Sequence, residues 1–247
     1  MNSQFSSLIK NPEYYQEDGT IRFSSAAWFD FVRRTQVLVA GCGGIGSWTA
    51  FMLSRLRPGV MHIIDPDTVD RSNMGGQLFA SRDIGTAKVR AVNDLCDNFS
   101  NYYPNSLQER LGVEHRVPLV CFGCFDNMEA RRLLYNLWKD SLARHPEEGG
   151  VLIDGRLSAE VFQVFCITNT DYYYMDKYEN EWLFSDEEAD SEVCSYKQTS
   201  YCANMIASIM TNLFVNWCAN QCDPLIERSL PFMVEYNAEQ MFLKTEV

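Results

Sequence analysis

The sequence predicts an α/β fold, a Rossmann-like, largely parallel twisted sheet flanked by helices, with additional strands in the C-terminal half. Three observations carry this. Gln36–Ala40 (QVLVA) is a continuous apolar run closed by a glycine loop, the pattern of a parallel strand buried on both faces. Residues 45–57 then place apolar side chains at 45, 48, 52, 53 and 56, which is helical spacing, and Pro58-Gly59 stops the helix. Val60–Ile64 is a second apolar run ending at Asp65, which completes a βαβ unit of ordinary length.

The other elements follow in order. Residues 1–20 are polar and aromatic without a period and read as an arm or short helix, and residues 24–34 as a short helix leading into the first strand. Residues 65–85 are a long polar irregular stretch, of the kind that is functional or disordered in compact domains. A helix over 86–98 carries Val89, Val92 and Cys96 on a stripe that runs on to Phe99, and a short strand is expected near 107–111. Residues 118–122 form a third buried strand with Asp126 just beyond it. A helix over 128–142 turns Leu133, Leu134, Leu137 and Trp138 inward. A short strand at 151–154 and a longer one at 161–168 follow, then an acidic, tyrosine-rich surface loop over 172–191. Residues 201–217 are a helix with Ile206, Ile209, Met210, Leu213 and Trp217 on one face, and 232–236 with 240–243 form a terminal hairpin. No repeat, low-complexity segment or linker interrupts the chain. It reads as one domain over 1–247, with a parallel half at about 30–145 and a mixed-strand half at about 150–247.

Composition bounds the function. The chain has 247 residues, enough for a sizeable core, and 33 acidic against 21 basic side chains give a net charge of −12. Such a surface repels phosphate backbones, so nucleic acid is excluded as the main partner. A nucleotide is not, because backbone N–H groups bind phosphate without net positive charge. The apolar stretch at 205–217 is broken by Ser208, Thr211, Asn212 and Asn216, too short for a membrane span. The N-terminus lacks the basic start and apolar run of a secretion signal. Nine cysteines sit inside apolar runs, which suits reduced thiols in a cytoplasmic protein.

Gly41-Cys42-Gly43-Gly44-Ile45-Gly46 matches G-x-G-x-x-G directly after a strand and at a helix start. The first glycine permits the tight turn, the second lets backbone approach phosphate, and the third lets the helix pack close to the strand. Asp65 ends the second strand 19 residues after Gly46, where a carboxylate can accept hydrogen bonds from ribose hydroxyls. To this point a nicotinamide enzyme and an ATP enzyme fit equally. Residues 65–78 then have the form D-x-D-x-V-x-x-S-N-x-x-x-Q-L, and 84–88 the form I-G-x-x-K. Asp126-Asn127 and Arg131 follow the third strand. With these motifs, running from about Gln36 to Arg131, the chain resembles the ThiF/MoeB/E1-like adenylyltransferase family, which activates ubiquitin-like and sulfur-carrier proteins. Ile153-Asp154-Gly155-Arg156 and the segment from Cys194 into the late helix look most like compact phage- and plasmid-associated members.

The resemblance implies ATP- and Mg²⁺-dependent adenylation of a carboxylate, at the C-terminus of a ubiquitin-like or sulfur-carrier protein or of a peptide, by a homodimer. Adenylation brings two anions together, so the site needs cationic help and a metal. In the implied roles Gly41, Gly43, Gly44 and Gly46 hold phosphate, Asp65 holds the ribose, and Asp67 is a further nucleotide-binding residue. Asn73 and Gln77 donate to phosphate or ribose oxygens, and Lys88 offers a point charge to the phosphates. Asp126 holds Mg²⁺, with Asn127 beside it. Taken alone, Lys88 would be a solvated helix lysine and Asp126 a helix cap; their order after the glycine loop argues otherwise. One residue departs from the family pattern. Gly76 stands where an arginine usually precedes the glutamine, and Arg71 or Arg82 are the candidate replacements. Arg22 is the candidate for the family arginine that reaches into a partner subunit, ahead of Arg33 and Arg34.

A structural zinc, carried by many relatives, is disfavoured. Cys121 and Cys124 have C-x-x-C spacing but lie at a strand, and Cys218 with Cys222 are spaced i, i+4. For a later thioester or persulfide step Cys194, near Lys197, is the first candidate and Cys202 the second. His62, His115 and His145 show no nucleophile–base pattern, and His62 within a strand reads as structural. Two rivals stay open. An NAD-dependent oxidoreductase shares the glycines and Asp65 but leaves Asn73, Gln77, Lys88 and Asp126 unexplained. A nucleotide-binding module without turnover draws its argument from Gly76.

Overall fold

A computed structural model describes residues 19–184, 199–222 and 227–247. Its frame is one eight-stranded sheet. β1 (Gln36–Ala40), β2 (Val60–Ile64), β3 (Asn105–Leu107), β4 (Val120–Gly123) and β5 (Val151–Ser158) pair in parallel in the order β3-β2-β1-β4-β5. β6 (Val161–Thr168), β7 (Met233–Asn237) and β8 (Phe242–Glu246) extend the β5 edge in antiparallel pairing.

Alternation along the strands builds two cores. Val37, Val39, Met61, Ile63, Val120 and Phe122 face α1 (Ala27–Val32), α2 (Gly44–Leu56), α3 (Lys88–Ser100) and α6 (Ser200–Cys222). Leu38, Ala40, Ile64, Cys121, Leu152 and Phe165 face α4 (Met128–Arg144), with Leu134, Tyr135 and Trp138 packed against them. With both faces covered, β1, β2 and β4 are apolar at nearly every position, which makes them readable as continuous runs. α2 ends at Arg57, which takes the left-handed conformation (φ 57°) before Pro58-Gly59. α4 starts on Asn127, whose Oδ1 accepts the Ala130 N–H at 2.9 Å.

Several expectations are revised. The short strand is centred earlier, at Asn105–Leu107, and is a polar edge strand with no apolar signature. β5 runs on to Ser158 through Gly155 and Arg156, because pairing with β6 continues where hydrophobicity stops. The described part of the 172–191 stretch is no surface loop. α5 (Tyr172–Lys177) is capped by Asp171, a π-helical turn spans Tyr178–Trp182, and Tyr178 is buried. The 65–85 stretch contains two short 3₁₀ turns (Arg71–Gly75 and Ser81–Asp83) and is closed by a bridge between Thr68 and Ala87. No described helix is long and apolar enough to cross a membrane.

His62 sits buried in β2, and burial pushes its pKa down to about 4. The folded state therefore holds a neutral imidazole, while the unfolded chain takes up a proton below its ordinary value of 6.5. This contribution is fully present above pH 6.5 and is lost as the pH falls toward 4, at most ~3 kcal/mol. Urea unfolding of wild type and His62→Gln between pH 7 and 4.5 should show the wild type losing more stability than the variant. Parallel pH curves would contradict this. Helix packing gives a second test. A Cβ at Gly46 would lie 1.8 Å from the Gly41 carbonyl oxygen, whereas at Gly43 the nearest atom is 4.0 Å away. Gly46→Ala should cost about 3 kcal/mol or more in denaturant unfolding, and Gly43→Ala less than about 1 kcal/mol.

Candidate active site

The glycine loop leaves β1 at the point where strand order reverses between β1 and β4, so a crevice opens there at the C-terminal strand ends. It is a cleft of about 1330 Å³, bounded by the glycine loop, the ends of β2 and β4, the start of α4, and the β5–β6 turn. Its floor is tight. Gly41 has φ 94°, and a Cβ there would come within 2.7 Å of the Cys124 carbonyl oxygen. Gly41, Gly43 and Gly44 line the cleft with no side chain to cover their backbone, which suits an anion.

Asp65 is the best-fixed carboxylate in the cleft. Its Oδ2 accepts the Cys42 N–H at 2.7 Å and its Oδ1 the Asp67 N–H at 2.8 Å, tying the end of β2 to the glycine loop. Burial pushes its carboxyl above the usual range, against those two bonds and nearby Lys88, which pull it down. Lys88 opens α3. Its N–H donates to the Asp67 carbonyl at 2.9 Å and its Nζ to Asp67 Oδ2 at 2.9 Å, with the lysine buried and the aspartate exposed. Gln77 lines the cleft, and its buried Oε1 has no hydrogen-bond partner among the described residues. The loop bearing it is held by Val69 N–H to the Thr86 carbonyl (2.8 Å) and Leu78 N–H to Ser47 Oγ (3.0 Å). Asp126 is exposed just beyond β4, and Asn127 Nδ2 donates to its Oδ1 at 3.1 Å.

Gly41, Gly43, Gly44, Asp65, Asp67, Gln77, Lys88, Asp126 and Asn127 thus share one cleft. Gly46 does not line it and instead seats α2 on the glycine loop. Asn73 does not line it either; its Oδ1 accepts the Asp70 N–H at 2.8 Å inside its own 3₁₀ turn. Gly76 has its carbonyl against Trp48 Nε1 (3.4 Å), and Arg71 and Arg82 are exposed outside the cleft lining, as is Arg22. Cys194 and Lys197 lie outside the described residues. Cys202 is buried in α6 and does not line the cleft. Cys124 does line it, but burial pushes its thiol up to about 12, far from a thiolate at neutral pH. Cys121 is buried in β4 with its thiol directed at the Pro118 carbonyl (3.2 Å), and Cys218 is buried in α6. His115 is bonded to Glu109 (2.9 Å) and the Gly112 turn, and His145 to Glu148 (3.1 Å). Among the described residues no three His, Cys, Asp or Glu side chains gather as a metal site.

Sequence reasoning missed one feature of the cleft wall. Asp154 is 1% exposed and accepts from Arg131, from Arg156 Nε (2.8 Å) and from Tyr178 Oη (2.9 Å). Arg131 and Arg156 both line the cleft. The signal was present as a charged Asp154-Gly155-Arg156 run directly after the apolar residues of β5, but the tyrosine that completes it is 24 residues away from Asp154.

Comparison with known proteins agrees with this geometry. The ThiF family profile matches residues 20–245. Ubiquitin-like modifier-activating enzyme 5 of Aedes aegypti is 28% identical over 144 residues, 51% of this chain and 36% of its own. The Drosophila grimshawi enzyme of the same name is 32% identical over 122 residues, 42% and 30% respectively. The chain therefore spans about a third of the length of these relatives. Among solved structures, selenomethionine PaaA superposes with a TM-score of 0.71 at 15% identity, covering 100% of this chain and 77% of that one. E. coli MccB, solved with ATP, gives 0.65 at 15% identity, covering 95% and 73%. With MccA and AMPCPP it gives 0.68 at 15% identity, covering 96% and 73%. These similarities show the shared fold, and the profile match over nearly the whole chain places the protein in the ThiF family.

Proposed function

We propose that the protein adenylates a terminal carboxylate, of a ubiquitin-like or sulfur-carrier protein or of a peptide, using ATP and Mg²⁺. The observation that carries this reading is the convergence of Asp65, Lys88, Gln77 and Asp126 on one cleft beside the glycine loop. A nicotinamide enzyme would need only the glycines and Asp65. The relatives named for activating a ubiquitin-like modifier, and MccB solved with ATP and with MccA, support the same direction.

The donor set fits the nucleotide. Each oxygen of Asp65 accepts one backbone N–H and keeps a further lone pair for a ribose hydroxyl. The loop N–H groups and the start of α2 receive phosphate. The set also fits magnesium, which takes one or two protein carboxylates and completes its shell with phosphate and water. Asp126, exposed at the strand end and bonded on Oδ1 by Asn127, is that carboxylate. When bound, the metal neutralises phosphate charge.

In the proposed reaction the acceptor carboxylate attacks the α-phosphate and pyrophosphate leaves, with no proton to transfer. The chain positions and neutralises. Asp67 holds the Lys88 ammonium in the cleft, and Asp65 would hold the ribose at the end of β2. The far part of the cleft, toward the β5–β6 turn and Phe184, receives the acceptor. We further propose a homodimer, with Arg22 on its exposed turn free to reach a partner. A second reading, nucleotide binding without turnover, is favoured by one observation. Gly76 lacks the family arginine, and neither Arg71 nor Arg82 lines the cleft.

The test is pyrophosphate exchange into ATP, expected only with Mg²⁺ and an acceptor present. Lys88→Ala should lower the exchange rate by about 100-fold or more, the loss typical of removing a main charge stabiliser. Asp126→Ala should abolish metal-dependent exchange while the thermal midpoint stays near wild type, since the side chain is exposed. Cys194→Ser should leave exchange near wild type, because attack on phosphorus needs no protein nucleophile. No ATP binding by calorimetry at millimolar nucleotide would refute adenylation. Binding without exchange would favour the second reading.

A further inference from the structure

We propose that Arg131 and Asp154 are positioning residues for Asp126, and that the segment over residues 172–184 holds them in place through Tyr178. The inference rests on the adenylation reading, in which Asp126 holds the metal.

The argument begins with a cost. A carboxylate buried as deeply as Asp154 needs close partners, and a buried ion pair adds little stability over well-packed apolar residues. The geometry shows what this one does. Gly123 makes room for it: a Cβ at that position would lie 2.8 Å from Asp154 Oδ1. Arg131 divides its planar guanidinium between two sides. Nη1 donates to Asp154 Oδ1 and, at 3.0 Å, to the Gly155 carbonyl, while Nη2 donates to the Phe125 carbonyl. Phe125 directly precedes Asp126, and Asn127 directly after it caps α4. Asp126 therefore stands on a three-residue bracket pinned at both ends from α4, once by the Asn127 cap and once by Arg131. Arg131 ties this bracket to β5 through Asp154 and the Gly155 carbonyl, and the Cys124 N–H ties the chain just before it to the Ala40 carbonyl of β1.

Asp154 is also where the 172–184 segment attaches. Tyr178 Oη donates to Asp154 Oδ2 at 2.9 Å. Arg156, bonded to the same oxygen, donates from Nη1 to the Trp182 carbonyl at 2.9 Å and lies 4.5 Å over the Phe165 ring. Tyr178 to Asp154 to Arg131 to the Phe125 carbonyl is thus a continuous chain of bonds ending one residue from the cleft carboxylate. Displacing the segment would free one side of Asp154 and loosen the peptide that aims Asp126.

The experiment uses the full chain saturated with a non-hydrolysable ATP analogue. Mn²⁺ binding is read by electron paramagnetic resonance, analogue binding by calorimetry, and pyrophosphate exchange against Mg²⁺ concentration. Asp154→Asn keeps the shape and removes the charge. Arg131→Lys keeps the charge but cannot span its three acceptors at once. Each should weaken Mn²⁺ binding and raise half-saturating Mg²⁺ by about 10-fold or more, the usual effect of losing an outer partner of a metal ligand. Analogue affinity should stay within about twofold of wild type. Tyr178→Phe leaves both ion pairs in place and should shift the metal dependence in the same direction by less. It decides the matter alone if the other two variants fail to fold. Unchanged Mn²⁺ affinity in the folded variants would overturn the proposal, as would metal and analogue affinity falling together, the sign of a generally loosened cleft. Asp126→Ala separates this failure from that of the parent reading. If removing Asp126 leaves Mn²⁺ affinity unchanged, the metal site itself is misplaced and both fall.

Discussion

The cleft depends on one close approach of backbones. At Gly41 the end of β1, the end of β4 and the first turn of α2 come so near that no Cβ fits at Gly41 or Gly46. That contact sets the direction in which α2 leaves the sheet, and so where its N–H groups point. It also places the chain leaving β4, with Asp126, beside the glycine loop. Asp65 then closes the third side by taking the Cys42 N–H from the same loop. Three strand ends are tied to one turn, and the ligand groups follow from that.

The cleft lining carries seven carboxylates and four cationic side chains, so its cations act locally at fixed positions. The chain carries a net charge of −12, yet Lys88, Arg131 and Arg156 line the cleft, each bonded to an aspartate. An anion arriving there meets cations already held in position, with part of the ordering entropy paid during folding. The acidic exterior limits nonspecific capture of polyanions, and screening over about 8–10 Å at moderate salt confines each cleft charge to its near neighbours.

The parallel half was legible because burial on both faces leaves a contiguous apolar run ending in a specific turn. β1 and β2 have the predicted bounds, and the glycine loop, Asp65, Lys88 and Asp126 lie where their order suggested they would meet. Legibility failed where side chains do work that period and propensity do not encode. Asn73 reads as a ligand from its spacing, yet it lies outside the cleft lining and its Oδ1 accepts the Asp70 N–H of its own turn. β3 pairs in parallel with β2 and carries one apolar residue, Leu107, too little for a periodic signal. Tyr178 sits in a polar, aromatic stretch that reads as surface, yet it is buried because Asp154 and Phe165 lie beneath it. A bond spanning 24 residues leaves no local trace.

The central claim is that this cleft binds ATP with its ribose on Asp65 and its α-phosphate between the glycine loop and Lys88. A crystal structure of the protein with a non-hydrolysable ATP analogue and Mg²⁺ tests it most directly. The account predicts ribose hydroxyls within hydrogen-bond distance of Asp65, phosphate oxygens on the N–H groups following Gly41, and the metal on Asp126. A nucleotide seated elsewhere, or one whose phosphates point away from Lys88 and Asp126, would contradict it.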